Sequence, residues 1–325
     1  MAEYTTLADL DPADICARYG IGELVSIEAV PGGAANSSFR LRAAKRDPDR
    51  PAADAEETDY ALTILDNDPT SAPRLASLMG RLENRFQTTV LVRTKGDEPA
   101  LVVAPDDDAN RRVMILKRWV DGNVYPVFPA ELLREAGVAL ARLHRLPAEE
   151  VIGDDQLPAK GRRLTAEHRS RIADFTDRAF AHWLTERLDA LDGLHSGRQD
   201  TLIHGDLYSD NIIVGETGTL VVIDWETACR EDPLLDLGMA IIGLGVVDGR
   251  LVRERAEAIV DGYSSVLPVT AEERSGVLRG MVELAALIIA YHRYYRHNVR
   301  YPGSAAANRY QEMVGIVRDC ALHGT

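Results

Sequence analysis

The chain of 325 residues carries 37 basic and 51 acidic side chains, a formal net charge of −14, and 46% of its residues are hydrophobic. This acidic balance opposes general binding to nucleic acid or to anionic membranes, which needs a basic surface. The length favours two domains or one large domain with two lobes. Cys16, Cys229 and Cys320 form no CxxC pair, and no apolar run reaches the roughly 18–20 residues that cross a bilayer. Since the N-terminus also lacks a signal peptide, we expect a cytoplasmic protein without a membrane partner.

The first hundred residues predict a strand-rich region that follows one short helix. Helical spacing predicts a helix at Pro12–Tyr19, ended by Gly20, and another at Ala72–Arg85. Short β-type runs predict strands at Leu24–Val30, Ser37–Leu41, Tyr60–Leu65, Thr89–Val92, Ala100–Val103 and Val113–Leu116. The polar segments 43–58 and 105–111 predict exposed hairpin connections.

From Pro129 onward the apolar spacing changes to the 3.6-residue period of helices. Helices are expected along a stripe from Leu132 to Leu143 and at Thr165–Leu194, Leu251–Tyr263 and Ala271–Tyr295. Strand-like runs at Thr201–Val214 and Thr219–Asp224 interrupt them. These patterns predict an α+β protein with a strand-rich lobe over residues 1–117, a mostly helical lobe over residues 118–325, and a cleft between the lobes.

The segment LIHGDLYSDNIIVGETGTLVVIDWE carries the chemistry. If its two apolar strands pair as a hairpin, Asn211 and Asp224 lie at the open end beside Asp206. Oxygen ligands without cysteine suit a hard cation such as Mg²⁺, and a carboxylate free of metal can accept the proton of an alcohol. Phosphoryl transfer needs this set of groups. A surface hairpin with acidic turns is the alternative, which the apolar strands and the motif spacing oppose.

HGDLxxDN followed by IDWE resembles the aminoglycoside phosphotransferase and choline kinase superfamily, relatives of the protein kinases. The resemblance implies a two-lobed protein-kinase-like fold that uses ATP, Mg²⁺ and a small-molecule alcohol. It implies that Asp206 is the catalytic base and that Asn211 and Asp224 bind Mg²⁺. His204 would brace the loop through its ring, unless it is a plain packed histidine. Asp236 resembles the downstream aspartate that helps to hold the catalytic loop.

Three N-terminal segments resemble one branch of this superfamily in particular. GGAANSSF, YALTIL and PRLASLMGRLEN are similar to type II homoserine kinases, a branch of the same superfamily. The small-residue turn in the first segment would cover the ATP phosphates through backbone N–H groups. The residues of this turn expected to bind the nucleotide are Gly32, Gly33, Asn36 and Ser37. Because Gly-Gly turns are common, the assignment depends on the three segments together.

Thr63 departs from the protein kinases, whose strand carries a lysine at this position that pairs with the α- and β-phosphates. Threonine favours the homoserine kinase branch over antibiotic kinases. Arg40, Arg42 or the metal would then neutralise the phosphates. VMILKRWVDG resembles the strand that leads into the connector, where the backbone from Leu116 to Arg118 would hydrogen-bond adenine.

The acceptor site is harder to predict from the sequence. YHRYYRHNVR is basic and aromatic, and Arg293, Arg296 and Arg300 recur at helical spacing. These arginines would bind a substrate carboxylate, or they are simply cations at a helix C-terminus. Glu226 would face an acceptor ammonium.

The sequence therefore predicts an ATP-dependent small-molecule kinase that phosphorylates an alcohol, with homoserine as the first choice. The alternatives within the enzyme class are aminoglycoside, other antibiotic, sugar and choline-type phosphotransferases. A catalytically silent, kinase-like nucleotide-binding module is the alternative from another class. Thr63 supports that last interpretation, and the intact set of Asp206, Asn211 and Asp224 opposes it.

Overall fold

The computed structural model describes residues 5–30, 36–45, 56–66, 68–103, 111–153 and 157–323. The chain forms two compact units, Met1–Asp121 and Gly122–Thr325. The Trp119 N–H donates to the Asp59 carbonyl at 3.1 Å within the first unit. An antiparallel sheet dominates the first unit and helices dominate the second, so the predicted α+β class is confirmed.

In its described residues, the first unit contains a six-stranded antiparallel sheet and two α-helices. Its elements are α1 (Pro12–Tyr19), β1 (Glu23–Ala29), β2 (Ser37–Lys45), β3 (Glu56–Ile64), α2 (Ala72–Leu82), β4 (Leu91–Val92), β5 (Leu101–Val103) and β6 (Arg112–Arg118). The strand order is β1-β2-β3-β6-β4, and β5 also pairs with β6. Asp11 caps α1 by accepting the Asp14 N–H, and Gly20 ends it with a φ of 66°, which only glycine adopts at little cost.

One face of this sheet packs with α1 to form the core of the first unit. The core residues on the three central strands are Phe39, Leu41, Ala43, Tyr60, Leu62, Ile64, Met114 and Leu116. Because successive side chains of a strand point to opposite faces, Arg40 and Thr63 lie on the other face of the sheet. Thr63 is opposite Ser38 on β2 and Ile115 on β6.

The second unit is mostly helical. Its elements are α3 (Leu133–His144), α4 (Ala148–Ile152), α5 (Ala166–Ile172), α6 (Arg178–Ala190), β7 (Thr201–Ile203), β8 (Ile212–Val214), β9 (Leu220–Val222), β10 (Cys229–Glu231), α7 (Pro233–Gly245), β11 (Val246–Val247), β12 (Arg250–Leu251), α8 (Arg253–Ser264), α9 (Ala271–Ser275), α10 (Val277–Tyr294) and α11 (Tyr310–His323). The short strands form three two-stranded ladders, β7 with β10, β8 with β9 and β11 with β12.

Helix α7 forms the centre of the second unit, where it packs against α8 and α10. It is buried along nearly its whole length. A Cβ atom at Gly238 would lie 2.8 Å from the Met281 carbonyl oxygen of α10, so glycine permits this close contact. One stretch in the described residues, Ala271–Arg300, is long and apolar enough to span a membrane, but most of its apolar part is buried within the protein.

Several local predictions differ from the structure. The helix expected at Ala271–Tyr295 is α9 and α10, which meet at Gly276. The helix expected at Thr165–Leu194 is two helices, because Asp177 starts α6 by accepting the Phe180 N–H. Strand β10, which pairs with β7, was not expected. The chain from Tyr295 to Arg300 is π-helical, so the three arginines of this region do not keep α-helical spacing. The hairpin connections expected at 43–58 and 105–111 lie largely outside the described residues.

Candidate active site

The β8–β9 hairpin brings two of the expected metal ligands to its open end. Its register pairs Ile212 with Val222, and the Ile223 N–H then donates to the Asn211 carbonyl at 3.0 Å. Asp224 follows with a φ of 64°, a left-handed conformation that aspartate tolerates better than most residues. Asn211 and Asp224 therefore leave the same end of the hairpin, as the sequence predicted.

Asp206 lies on the loop between β7 and β8 and contacts Asn211. The Asn211 Nδ2 donates to the Asp206 carbonyl oxygen at 2.8 Å. The Asp224 charge is close enough to affect the pKa of Asp206. Asn211 is almost fully buried, whereas Asp224 is exposed. The structure thus brings Asp206, Asn211 and Asp224 together.

His204 connects this loop to the end of the hairpin. Its Nδ1 accepts the Asp206 N–H at 3.3 Å, and its Nε2 donates to the Ile223 carbonyl at 3.0 Å. The neutral tautomer with the proton on Nε2 satisfies both hydrogen bonds. The ring is fully buried and meets Trp225 edge to face, with 4.8 Å between the ring centroids.

A fully buried carboxylate on α7 holds the backbone of the loop. Asp236 accepts the N–H groups of His204 and Gly205, each at 2.8 Å. Its Oδ2 is also 3.1 Å from the His144 Nε2, and the His144 Nδ1 is 2.9 Å from the Tyr263 hydroxyl. Burial would raise the pKa of Asp236, but the hydrogen bond and charge of His144 and the other donors hold this pKa below its ordinary value.

The loop also carries an arginine contact. The Arg162 Nε donates to the Gly205 carbonyl at 2.5 Å, and its Nη2 lies 3.3 Å from the Asp206 Oδ1. Gly205 has a φ of 80°, a conformation that favours glycine. A Cβ atom at this position would lie 3.2 Å from the Cδ atom of Arg162. Burial raises the pKa of Asp206, the charges of Arg162 and His204 lower it in part, and those of Asp224 and Asp236 raise it further. The Asp206 side chain is nevertheless 35% exposed and accessible to a substrate.

The oxygen groups at the hairpin end fit a divalent cation. Because the Asn211 Nδ2 is used by Asp206, the carboxamide oxygen remains available as a ligand. The Asp224 carboxylate makes no hydrogen bond or ion pair with any described residue. No cluster of three His, Cys, Asp or Glu side chains suited to a metal occurs in the described part of the chain. Two protein oxygen ligands, completed by water and phosphate oxygens, are the usual protein contribution to an Mg²⁺ site.

The expected phosphate-binding turn is only partly described. Gly32 and Gly33 lie outside the described residues. Asn36 is buried at the start of β2. Ser37 donates both its N–H and its hydroxyl to Asp66, at 2.8 and 2.6 Å, so its side chain anchors β2 to the end of β3.

Thr63 and its neighbouring arginines lie on the sheet face opposite the core. The guanidinium groups of Arg40 and Arg42 are both held by the Asp59 carboxylate. Arg40 also stacks over the Trp119 ring, 4.6 Å from its centroid. Two candidates for phosphate neutralisation are thus engaged within the sheet, and Thr63 itself is buried.

The backbone expected to bind adenine is largely used by the sheet. Leu116 is paired with Leu62 on β3 and with Val92 on β4. The Arg118 N–H donates to the Val90 carbonyl at 2.8 Å, and its side chain contacts Tyr60. The Leu116 side chain belongs to the core of the unit. A backbone donor for adenine is therefore better sought after Trp119, where strand pairing has ended.

Arg293 lies near the loop of Asp206, and Glu226 lies two residues after Asp224 in sequence. The Arg293 guanidinium is paired with Glu312 at 2.7 Å. Its positive charge lowers the pKa of Tyr208, two residues after Asp206, although burial raises that pKa overall. Glu226 is half-buried.

Sequence reasoning missed Arg162, Tyr208 and the contact of His144 with Asp236. Arg162 belongs to the basic run KGRR, which is the local signal that could have identified it. Tyr208 lies inside the catalytic motif, and its buried hydroxyl has no hydrogen-bond partner among the described residues. His144 appears in sequence only as the polar end of an apolar helix.

Comparisons with known proteins identify what the chain is similar to. The model of the phosphotransferase enzyme family matches residues 26–274. A homoserine kinase of Neisseria meningitidis serogroup B is 24% identical over 283 residues, 85% of each chain. A homoserine kinase of Gluconacetobacter diazotrophicus is 27% identical over 84% of this chain and 82% of its own length. An amicoumacin kinase solved in complex with AMP-PNP, Ca²⁺ and Ami has the same fold, with a TM-score of 0.68, 11% identity and coverage of 96% of this chain and 94% of its own.

Proposed function

Because this chain belongs to the phosphotransferase enzyme family and is therefore an enzyme with an alcohol acceptor, we propose that it transfers the γ-phosphoryl group of ATP to the hydroxyl of homoserine. The observation that carries the proposal is the loop of Asp206. A partly exposed carboxylate lies beside two oxygen ligands, on a backbone held by a buried aspartate. This is the arrangement that an in-line phosphoryl transfer requires.

Asp206 acts as the base in this mechanism. Its carboxylate orients the acceptor hydroxyl and accepts its proton as the oxygen attacks the γ-phosphorus. The bond between the γ-phosphorus and the β–γ bridging oxygen breaks, and ADP leaves. His204 keeps the loop in register by bonding the Asp206 N–H on one side and the Ile223 carbonyl on the other. Asp236 fixes the preceding backbone, so the base is positioned before substrate arrives.

Asn211 and Asp224 would hold a divalent cation, for which we propose Mg²⁺. When bound there, it would supply charge neutralisation for the transferred group. Asn211 also donates to the Asp206 carbonyl, which couples the position of the base to that of the metal ligand. The exposure of Asp224 leaves it accessible to a nucleotide-bound ion.

The nucleotide would be held by the first unit. We assign the phosphates to the turn that includes Gly32, Gly33 and Asn36, beside Thr63. For adenine we prefer the main chain of Val120 and Asp121, since the Arg118 N–H is already bonded to Val90. A cytoplasmic location, where ATP is available, fits this use.

Homoserine is favoured as acceptor for two reasons. The two sequence relatives described above are homoserine kinases, and each is covered over more than four-fifths of its length. Arg293 also brings a positive charge near the catalytic loop, which suits an acceptor with a carboxylate better than a polycationic aminoglycoside. Glu226 is our candidate for the ammonium group of the acceptor, and Arg293 adds positive charge near the catalytic loop without being assigned a direct contact.

A coupled ADP-release assay with Mg-ATP and a panel of acceptors tests the function. The panel contains homoserine, an aminoglycoside, a sugar and choline. We expect homoserine to give a kcat/KM of about 10⁴ M⁻¹ s⁻¹ or more, with the other acceptors at least roughly 100-fold lower, the scale set by lost polar contacts. Preferential turnover of an aminoglycoside, sugar or choline would overturn the acceptor assignment, and absence of turnover with every alcohol would overturn the kinase itself.

A further inference from the structure

One polar atom near the base has no role in the mechanism above. The Tyr208 hydroxyl is buried and has no hydrogen-bond partner among the described residues. A buried hydroxyl without a partner is costly, so such an atom indicates a missing ligand or water. Tyr208 is held in place by its own backbone, whose N–H donates to the Asp206 carbonyl at 3.0 Å. The unsatisfied hydroxyl is therefore attached to the same loop as the catalytic base.

The charges around this hydroxyl are unusual for an acidic protein. Arg162 and Arg293 both lie close enough to Tyr208 to lower its pKa, against burial, which raises it. Asp206 and Asp210 supply the opposing negative charge. Arg293 is already paired with Glu312, and Arg162 is paired with Asp206. Two cations thus lie near the hydroxyl, and each is already in an ion pair.

Arg162 has a donor left for a ligand. Its Nε and Nη2 serve Gly205 and Asp206, whereas its Nη1 makes no hydrogen bond with the described part of the chain. Its side chain is 12% exposed, which is enough for one ligand atom and too little for full hydration. A guanidinium in that setting binds a carboxylate strongly, because water competes poorly for it.

His292 lies near Arg162 and adds no charge there. It is half-buried, and burial together with the charges of Arg162 and His168 lowers its pKa to about 3. At neutral pH it carries no charge and adds no cation of its own. The cations near Tyr208 are therefore the two arginines, Arg162 and Arg293.

We propose that Tyr208 and Arg162 form the subsite for the carboxylate of the acceptor, with the Tyr208 hydroxyl and the Arg162 Nη1 as its donors. This subsite deepens the proposed function and rests on it, since both donors adjoin the base that receives the acceptor hydroxyl. The acceptor is accordingly an alcohol that carries a carboxylate. An amino alcohol without the carboxylate leaves both donors unsatisfied and is discriminated against.

The test compares homoserine with 3-amino-1-propanol, which has an amine and a primary hydroxyl but no carboxylate. In Tyr208→Phe we expect kcat/KM for homoserine to fall about 10-fold or more, mainly through KM, and that for the amino alcohol to change less than about 2-fold. The KM for Mg-ATP stays the same. Because the hydroxyl has no internal partner, the thermal midpoint of Tyr208→Phe does not fall.

Arg162→Lys keeps the charge but loses the planar fork, and Arg162→Met loses both. We expect the selectivity for homoserine over the amino alcohol to be highest in the wild type, lower in Arg162→Lys and lowest in Arg162→Met. Tyr291→Phe is the matched control, since it removes another buried, unpartnered tyrosine hydroxyl of the same unit and leaves the selectivity as in the wild type.

The outcomes separate the two proposals. Equal losses of kcat/KM for both acceptors in Tyr208→Phe would overturn the subsite and indicate that the hydroxyl has only a structural role. A rise in the KM for Mg-ATP would also overturn it and indicate that the hydroxyl contacts a phosphate. If the wild-type enzyme phosphorylates another carboxylate-bearing alcohol, such as glycerate, and not homoserine, the proposed substrate fails while the subsite stands. Wild-type preference for an acceptor without a carboxylate overturns both.

Discussion

At the scale of single residues, the candidate site is built from polar groups whose partners are almost all identified. His204, Asn211 and Asp236 use their hydrogen bonds to fix the loop, and Asp206 and Asp224 keep carboxylate oxygens accessible. Groups that are fully bonded position the loop, and groups that remain accessible are the ones a substrate or ion can reach. Substitutions of these residues should therefore change different measured quantities, such as kcat for the base and Mg²⁺-dependent ATP binding for the metal ligand.

Replacement of Asp206 by asparagine tests the base. Asparagine keeps the shape of the side chain but cannot accept the acceptor proton, so we expect kcat to fall by roughly 10²–10⁴-fold while nucleotide affinity stays nearly unchanged. Steady-state kinetics and calorimetric titration with Mg-ATP measure the two quantities. Asp210→Asn, at an exposed aspartate of the same loop, is the control and retains wild-type kcat within about 2-fold. Turnover near that of the wild type in Asp206→Asn would exclude the assignment.

Replacement of Asp224 by alanine tests the metal ligand. Loss of the exposed carboxylate removes one of two protein ligands, and we expect Mg²⁺-dependent ATP binding to weaken at least about 10-fold. Calorimetry with and without Mg²⁺ gives this difference. Asp248→Ala is a matched control, because Asp248 is also exposed and also has a positive φ, of 50° against 64° for Asp224. Equal effects of the two variants would attribute the change to backbone strain rather than to the metal.

At the scale of secondary-structure elements, helix α7 and the catalytic loop form one packed assembly. Asp236 of α7 bonds the loop backbone, and Gly243 allows the same helix to approach the loop one residue after the base. The base thus takes its position from a helix that is buried in the core of the second unit. Packing of α7 and geometry of the loop are therefore linked.

Gly243→Ala tests this link. A Cβ atom there would lie 2.3 Å from the Leu207 carbonyl oxygen, so the loop must move. We expect kcat to fall by about 10²-fold, the scale of a misplacement of about 1 Å, and the free energy of unfolding to fall by about 1–3 kcal/mol. Gly315→Ala in α11 is the control, since nothing lies within 4 Å of its Cβ, and it should stabilise the protein by about 0.5–1 kcal/mol. If Gly243→Ala is destabilised but its kcat is unchanged, the geometry of the loop does not depend on the packing of α7.

The same elements show what the sequence could predict. The β8–β9 hairpin and the position of Asn211 and Asp224 at its open end were predictable, because alternating apolar strands and a glycine turn fix a local register. Helix α1 was predictable in its bounds and in its glycine stop at Gly20. The contacts of Arg162 and His144 were not, since they join residues 44 and 92 positions apart through tertiary packing. The π-helical turn at Tyr295–Arg300 also escaped prediction, because its sequence still has the composition of an α-helix.

At the scale of the whole molecule, the acidic excess is distributed between paired and unpaired carboxylates. Several carboxylates are bonded to arginines or backbone donors, among them Asp59 of the first unit and Glu273 of the second. Arg40 and Arg42 hold the pKa of Asp59 at about 2, and Arg198 lowers that of Glu273. A net charge of −14 is therefore compatible with stability at neutral pH, since many of the negative charges have an internal cation.

The pairing of Asp59 makes a prediction about acid unfolding. Because its pKa is lower in the folded protein than in the unfolded chain, its stabilising effect is complete above about pH 4 and disappears as the pH falls towards 2. We expect Asp59→Asn to lower the free energy of unfolding by about 1 kcal/mol at pH 7, the scale of a partly exposed ion pair, and by progressively less between pH 4 and about 2. Urea unfolding at several pH values measures the free energy of unfolding of the wild type and of Asp59→Asn. A difference that stays constant down to about pH 2 would show that Asp59 acts by packing, because an ion pair must lose its effect once the carboxylate is protonated.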